Sequence, residues 1–238
     1  MALSIQLATT FEPTSVCFSK LHKNKNGGKT VYINKAKSQK IYLQFPFMRA
    51  PFGLSSFTDE ATQKTSYSLD LSFDTDDPTM SPVLADLESK FKELDEIILK
   101  IVEENSAEWL GKKYNVNVIR EALYKPLIRP GKAKYAATMK LKVLTDVKTG
   151  SFVPEAYSAT RQPISLDTIE KGQVVMTIID LNQIWFIDNK FGVSARLQQV
   201  LLAPSKKLPT FAFQGVDVPS SATDELVEDE SDDFDDGH

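Results

Sequence analysis

The feature that most constrains the fold of this chain is a series of short segments in which apolar and polar residues alternate. A period of two places successive side chains on opposite faces, as in a half-buried β-strand. These segments lie on both sides of one longer segment with helical periodicity, and prolines and glycines separate them. The chain is therefore expected to be mainly β with α insertions.

The strand-like segments can be placed directly on the sequence. They are residues 15–22, 30–34, 40–47, 66–73, 134–143, 173–181, 183–187 and 192–202. The five residues KAKSQ join two of them, 30–34 and 40–47, and this short connection predicts a β-hairpin. On that hairpin Tyr32 and Tyr42 would share the polar face with Lys40.

Residues 82–104 carry apolar side chains at the spacing of an amphipathic helix. Ser81 is the expected cap, with Pro82 at the first helical position. A shorter helical segment capped by Asn117 is expected next, so the helical insertion spans about residues 82–124. Roughly seven strands around this insertion fit an OB-fold-like antiparallel β-barrel, and a β-sandwich fits the pattern nearly as well.

The two ends of the chain differ in composition from its middle. From Asp224 onward nine residues are acidic and none is lysine or arginine, so residues 213–238 are predicted to be a disordered acidic C-terminal tail. Residues 1–14 are predicted to be an N-terminal extension, and 15–212 the folded domain. The first eleven residues lack the basic start of a signal peptide, and no apolar run is long enough to span a membrane. We expect a protein of a reducing compartment, without membrane contact.

Positive charge is concentrated near the start of the chain. Residues 13–58 contain no aspartate or glutamate but hold seven lysines and Arg49, interleaved with aromatic residues. Protein surfaces usually mix both signs of charge. Single-stranded nucleic acid offers phosphates to cations and base faces to aromatic rings, and stacking contributes about 1–3 kcal/mol per base. In the alternative interpretation, the tyrosines pack against the helix and the lysines only solvate the sheet.

This pattern predicts a nucleic-acid-binding groove on the barrel. The candidate phosphate contacts are Lys35, Lys37, Lys40, Arg49, Lys134, Lys140 and Lys142. The candidate stacking residues are Tyr32, Tyr42, Phe47 and Phe52.

Composition gives little support for catalysis, a metal or a cofactor, and we expect none of them. One cysteine and two histidines exclude an intramolecular disulfide, a cysteine-rich zinc site and most histidine-based sites. The sequence GGKT at 27–30 matches half of a P-loop, but Lys23 stands where the first glycine of that motif is required. Cys17 is expected to be a small buried residue.

The acidic tail is interpreted as a mimic of the phosphate backbone. Tethered to a basic body, it would compete with nucleic acid at high effective concentration and, once displaced, would bind other proteins. The residues assigned to this role are Asp224, Glu225, Glu228, Asp229, Glu230, Asp232, Asp233, Phe234, Asp235 and Asp236. The simpler alternative is a tail that only increases solubility.

The order of these features resembles a known family. The basic segments of residues 30–47, the turn MRAPFG at 48–53, the single long helix, the late strands IWF and FGVSARLQQVLL, and the acidic tail with Phe234 occur in that order. They resemble the single-stranded DNA-binding proteins of nucleocytoplasmic large DNA viruses, which are related to the acidic-tailed single-stranded DNA-binding proteins of short-tailed bacteriophages. The resemblance covers roughly residues 15–238.

The resemblance implies a non-enzymatic protein that coats single-stranded DNA, with little sequence preference, during viral DNA replication, recombination or repair. It also implies a homodimer, and docking of a polymerase, helicase or primase on the tail. The protein would act where viral DNA is replicated, in the cytoplasm or nucleus of the host, and could be packaged in the virion. Two alternatives stay open: a virion structural or DNA-condensing protein, and a chaperone-like or transcription-associated module whose tail binds basic proteins.

Overall fold

Fifteen strands and one long helix build the part of the chain that the computed structural model describes, which is residues 4–23, 27–204 and Gln214. The strands are β1 Ile5–Leu7, β2 Cys17–Phe18, β3 His22–Lys23, β4 Lys29–Asn34, β5 Ile41–Gln44, β6 Met48–Ala50, β7 Leu54–Thr58, β8 Thr65–Ser72, β9 Tyr124–Lys125, β10 Ile128–Arg129, β11 Thr138–Val143, β12 Glu155–Tyr157, β13 Pro163–Ile164, β14 Gln173–Ile187 and β15 Lys190–Leu202. The helices are α1 Ser81–Glu104, α2 Ser106–Trp109 and α3 Val116–Val118, and a π-turn at Ile119–Leu123 continues α3.

Five of the strands close a barrel. β6 pairs with β8, β8 with β11, β11 with β15, β15 with β14, and β14 returns to β6. If these five strands are numbered 1 to 5 by their order along the chain, their order around the barrel is 1-2-3-5-4-1. Within this ring the pair of β11 with β15 is parallel, and the other pairs are antiparallel. The prediction of a mainly β, OB-fold-like barrel with one long helix is therefore confirmed, and the β-sandwich is not formed.

The longest strand, β14, pairs with three strands from the N-terminal part of the chain. One of its edges pairs in turn with β4, β5 and β6, all antiparallel, so these three strands follow one another along the same edge. The predicted hairpin of residues 30–34 and 40–47 is wrong, because β4 and β5 do not pair with each other within residues 27–204. The isolated bridge of Lys35 with Gln39 lies in the connection between them. Alternation fixes which side chains face the core but not which strand is the neighbour.

A β-bulge in β14 decides where its tryptophan points. The register passes from Leu181 opposite Ala195 to Gln183 opposite Ser194, which leaves Asn182 as the extra residue. Leu181 and Ile184 are both fully buried on either side of this shift. The bulge therefore turns Trp185 to the outer face of the barrel, as bulges commonly re-aim a side chain.

The helix packs on the barrel through its apolar stripe. Phe91 of α1 is fully buried, and its ring centroid lies 5.3 Å from that of Phe45 and 5.8 Å from that of Phe11. The N-terminal residues share this core, since Phe11 is fully buried and Lys90 Nζ donates a hydrogen bond of 2.6 Å to the Thr9 carbonyl oxygen. The segment predicted as an extension is thus part of the packed domain over its described residues 4–14.

Three further details differ from expectation or fall outside the described residues. The cap of the helical segment after α2 is Asn115, whose side chain accepts from the Val118 N–H, and not Asn117. Cys17 is exposed rather than buried, because β2 is a two-residue strand held on one side by β4. The predicted tail of residues 213–238 lies outside the described residues except for Gln214.

Within the described ranges, no helix has the length and apolar character needed to cross a membrane.

Candidate nucleic-acid interface

A groove of about 570 Å³ crosses the outer face of the barrel. Its floor is formed by β8, β11, β14 and β15, and residues of β4, β7 and the segment 125–129 line its sides. The cations that line it are Lys29, Lys125, Arg129, Lys140, Lys142 and Arg196. None of the described residues that line it is acidic. We call this surface the basic groove.

The sheet register places these groups in rows across the strands. Arg196 on β15 lies opposite Lys142 on β11, Lys142 lies opposite Ser68 on β8, and Ser68 lies opposite Ser55 on β7. Neighbouring strands are about 4.8 Å apart, so cations and hydroxyl groups follow one another at that interval. Lys140 shares the face of Lys142, two residues away on the same strand, because side chains alternate along a strand.

Trp185 is one of the aromatic residues that line the groove. It lies opposite Gly192 in the hairpin of β14 and β15. A Cβ atom at position 192 would stand 2.8 Å from the Trp185 Cζ2 atom and 2.9 Å from the Lys125 carbonyl oxygen. Glycine is therefore required for the indole and the β9 backbone to meet over this position, and the indole remains partly exposed.

Two more rings reach the groove from the β7–β8 hairpin. Phe57 is 67% exposed and lines the groove. Tyr67 is half-buried and meets the ring of Phe152 edge-on at 5.0 Å, so its ring is already used in packing. The candidates for stacking are thus the exposed ring of Phe57 and the partly exposed indole of Trp185.

A buried carboxylate on the helix holds the groove wall that carries Lys125 and Arg129. Asp95 of α1 accepts hydrogen bonds from the Tyr124 hydroxyl and from the backbone N–H groups of Leu127 (3.2 Å) and Ile128 (3.3 Å). Burial raises the pKa of Asp95 to about 6, although these hydrogen bonds act in the opposite direction. Asp95 is a positioning residue, since it fixes the segment between β9 and β10.

Two other carboxylates lie beneath the cations without entering the groove lining. Asp70 on β8 is opposite Lys140, and its Oδ1 atom is 3.8 Å from Arg129 Nη1. Burial raises the pKa of Asp70, while Lys140 and then Arg129 lower it. Asp180 is opposite Arg196, and burial raises its pKa while Lys40 lowers it. Each carboxylate offsets part of the repulsion among the cations that flank it.

The structure brings two of the predicted contacts into the groove and leaves the others outside its lining. Those in the lining are Lys140 and Lys142. Those outside it are Tyr32, Lys35, Lys40, Tyr42, Phe47, Arg49, Phe52 and Lys134, and the Lys37 side chain lies outside the described residues. The predicted tail contacts, including Phe234, also fall outside the described residues.

The positions of the residues outside the lining have specific causes. Arg49 Nη2 forms an ion pair of 2.7 Å with Asp74 Oδ2, so its charge is already matched. Tyr32 packs edge-on against His22 at 5.2 Å, two residues along β4 from the groove residue Thr30. Tyr42 is opposite Asp180, farther along the same edge of β14.

Sequence reasoning missed Trp185, Phe57 and four of the groove cations. A signal for three of those cations exists: Lys29 lies in the acid-free stretch 13–58, and residues 122–145, which include Lys125 and Arg129, form a second stretch without aspartate or glutamate. Its cations are Lys125, Arg129, Lys132, Lys134, Lys140 and Lys142. By contrast, no local pattern marks Trp185 or Arg196, because the bulge and the strand pairing that bring them to the groove are long-range features.

Known protein structures resemble this chain at low sequence identity. No curated protein sequence matches the chain significantly. Among solved structures, the single-stranded DNA-binding protein from bacteriophage Enc34 in complex with single-stranded DNA is similar, with 13% identity, a TM-score of 0.39, and coverage of 79% of this chain and 98% of that chain. A second structure of that protein matches with 15% identity, a TM-score of 0.37, and coverage of 84% and 97%.

A family model matches the chain directly. It spans residues 73–215, which contain β11, β14, β15 and the wall segment 125–129, and hence most of the basic groove. Because this match covers more than half of the sequence, the chain belongs to the family of unknown function DUF5871.

Proposed function

We propose that the basic groove binds single-stranded DNA with little sequence preference. The observation that carries this proposal is the lining itself: six cations, the exposed ring of Phe57 and the partly exposed indole of Trp185 share one open groove without a carboxylate among the described lining residues. Phosphate groups neutralise the cations, and unpaired bases stack on the rings. A ligand with both groups is a single-stranded nucleic acid.

The position of the groove agrees with this ligand. OB-fold barrels bind oligonucleotides on the face of their second and third strands, between the loops that join strands 1–2 and strands 4–5. Here the second and third barrel strands are β8 and β11, the first connection contains β7, and the fourth and fifth strands are β14 and β15. Bases in a duplex are stacked on each other, so rings at this place favour unpaired strands.

Not every cation is equally available to phosphate. Lys29 Nζ donates a hydrogen bond of 3.2 Å to the Trp109 carbonyl oxygen, and Arg129 is near Asp70. About four phosphate contacts are therefore expected, and each contributes about −0.7 to the slope of log affinity against log salt, so the total slope is about −3.

The test is a salt titration of full-length protein with fluorescent oligo-dT, the matching oligo-U and a duplex of equal length. We expect the tightest binding to oligo-dT, with the slope given above. A slope near zero, or no binding at low salt, would overturn the proposal. Tighter binding to the duplex would favour the DNA-condensing alternative instead.

We further propose that this binding serves DNA replication, recombination or repair in a large DNA virus, with the acidic tail as a competing lid and a docking peptide for replication proteins. The support is the charge of the chain: residues from Asp224 onward hold nine acids and no lysine or arginine, whereas the groove is cationic. Truncation before Asp224 should tighten binding to oligo-dT and abolish capture of a polymerase, helicase or primase. Unchanged or weaker DNA binding after truncation would contradict the lid.

A further inference from the structure

Two cations of the second acid-free stretch have no place in the basic groove. Between Glu121 and Asp146 the sequence contains six cations and no acid, and four of those cations line the groove. The other two are Lys132 and Lys134, on the loop of residues 130–137 that joins β10 to β11. The same loop carries Tyr135, which is 70% exposed.

This loop begins where the groove ends. At its base Arg129 on β10 is opposite Thr138 on β11. Arg129 lines the groove, and so does Lys140, which stands two residues after Thr138 on the same strand. A strand that leaves the groove past Arg129 and Lys140 therefore reaches the loop next.

The loop has a defined shape. The Tyr135 N–H donates a hydrogen bond of 3.1 Å to the Lys132 carbonyl oxygen, and Ala133 between them has a positive φ of 54°. The two sides of the loop also touch, because a Cβ atom at Gly131 would stand only 1.7 Å from the Tyr135 carbonyl oxygen. Glycine is thus required there, and the turn that presents Tyr135 exists before any ligand arrives.

The exposed groups of the loop repeat the chemistry of the groove. Lys132 and Lys134 are exposed, and Lys134 Nζ lies 5.9 Å from the centroid of the Tyr135 ring. A tyrosine ring this exposed offers its face to a planar partner, and lysines beside it favour an anionic one. An unpaired nucleotide supplies both the ring and the charge.

We propose that residues 130–137 form a second platform, on which Tyr135 stacks with a base and Lys132 and Lys134 contact phosphates of the strand that leaves the groove. This inference rests on the proposed function, because it takes the groove's ligand to be a single strand. Its consequence is a preference for strands longer than the groove alone can hold, within the roughly 4–16 nucleotides that one OB-fold covers.

The experiment compares oligo-dT of about five and about twenty nucleotides, bound to full-length protein. The loop variants are Lys132→Ala with Lys134→Ala, and Tyr135→Ala alone. The control is Lys112→Ala with Lys113→Ala, since these exposed lysines follow α2 beside Tyr114, with Lys112 Nζ 5.2 Å from that ring, and lie outside the groove lining. Control and loop variants thus lose the same charge from similar sequences.

For the long strand, we expect the double loop variant to reduce the salt slope by about 1.4, and Tyr135→Ala to weaken binding about tenfold. For the short strand, we expect both variants to match wild type. Wild-type protein that binds neither length would refute the groove itself. Two outcomes would overturn the second platform and leave the groove intact, provided that wild-type protein binds both lengths. In the first, the loop variants bind as the control does. In the second, the loop variants are weakened equally on short and long strands.

Discussion

The two charged surfaces of the barrel domain are built in opposite ways. On the helical surface, formed by the exposed residues of 81–123, opposite charges are paired: Lys92 Nζ is 2.5 Å from Glu88 Oε1, and Arg120 binds both carboxylate oxygens of Glu96. In the basic groove the cations adjoin one another. Among the described residues, the ion pair formed by a groove cation is the 3.8 Å contact of Arg129 with Asp70.

The unpaired charge of the groove marks it as the functional surface of the two. Exposed ion pairs contribute only about 0.2–1 kcal/mol each, so the helical surface needs no explanation beyond solubility and modest stability. A cluster of like charges costs folding free energy, because the charges repel one another in the folded state. The groove is thus a surface where folding is opposed by the same charges that would attract a polyanion.

Reversing the charge of the groove should have the strongest consequence for DNA binding. Lys140→Glu with Lys142→Glu removes two phosphate contacts and adds two repulsions, which should weaken oligo-dT binding roughly 10³-fold at low salt. Lys112→Glu with Lys113→Glu changes the net charge equally on the helical surface and should leave affinity within about threefold. Fluorescence anisotropy measures both. Equal losses in the two variants would show that net charge, not the groove, governs binding.

The second effect concerns Asp95, which joins the two surfaces. Its pKa in the folded protein is raised to about 6, so between about pH 4 and pH 6 the folded state binds more protons than the unfolded state. Stability therefore falls as the pH rises through this window, by about 3 kcal/mol for this group at 1.36 kcal/mol per pKa unit. Denaturant unfolding of wild type and Asp95→Asn at several pH values measures the difference.

In that experiment the difference between the two proteins isolates Asp95 from the other carboxyl groups. Glu96, for example, has its pKa lowered by hydrogen bonding to Arg120 and contributes with the opposite sign. Asp95→Asn should lose the Asp95 part of the pH dependence, at a pH-independent cost of about 1–3 kcal/mol, because one backbone N–H loses its acceptor. Parallel pH profiles of the two proteins would mean that Asp95 does not titrate in this range.

The third effect tests whether rings add to charge in the groove. Trp185→Ala should weaken oligo-dT binding by about 1–3 kcal/mol with the salt slope unchanged, because stacking is not an ionic interaction. The chain has two indoles, and that of Trp109 is buried against Phe186. Binding should therefore quench the fluorescence of wild type and of Trp109→Phe, which both keep Trp185, but not the fluorescence of Trp185→Phe. Quenching that persists in Trp185→Phe would place the bases elsewhere.

What could be predicted from the sequence is what depends on local periodicity. The helix at Ser81–Glu104 follows from its apolar stripe, and the outward direction of Lys140 and Lys142 follows from alternation with the buried Met139 and Leu141. Both need only neighbours along the chain. The same reasoning found two of the six groove cations.

The remainder depends on contacts between distant residues. Trp185 faces outward because of the bulge at Asn182, which two-residue alternation cannot reveal. Arg49 looked like a phosphate contact within an acid-free stretch, but its partner Asp74 lies beyond that stretch. Charge counted along the sequence therefore located a basic region, whereas strand pairing determined which of its members share a groove.

Replacing one lysine on each surface should change the stability of the protein in opposite directions. Lys142→Gln should stabilise the protein by a few tenths of a kcal/mol at low salt, because Lys142 lies opposite Arg196 and its removal relieves repulsion. Lys92→Gln should destabilise it by about 0.3–0.5 kcal/mol, because Lys92 is paired with Glu88 one helical turn away and glutamine has a helix propensity close to that of lysine. Both changes should vanish near 1 M salt, where the screening length is about 3 Å. Thermal unfolding at low and high salt measures them, and a destabilising Lys142→Gln at low salt would mean that the carboxylates beneath the groove already compensate its cations.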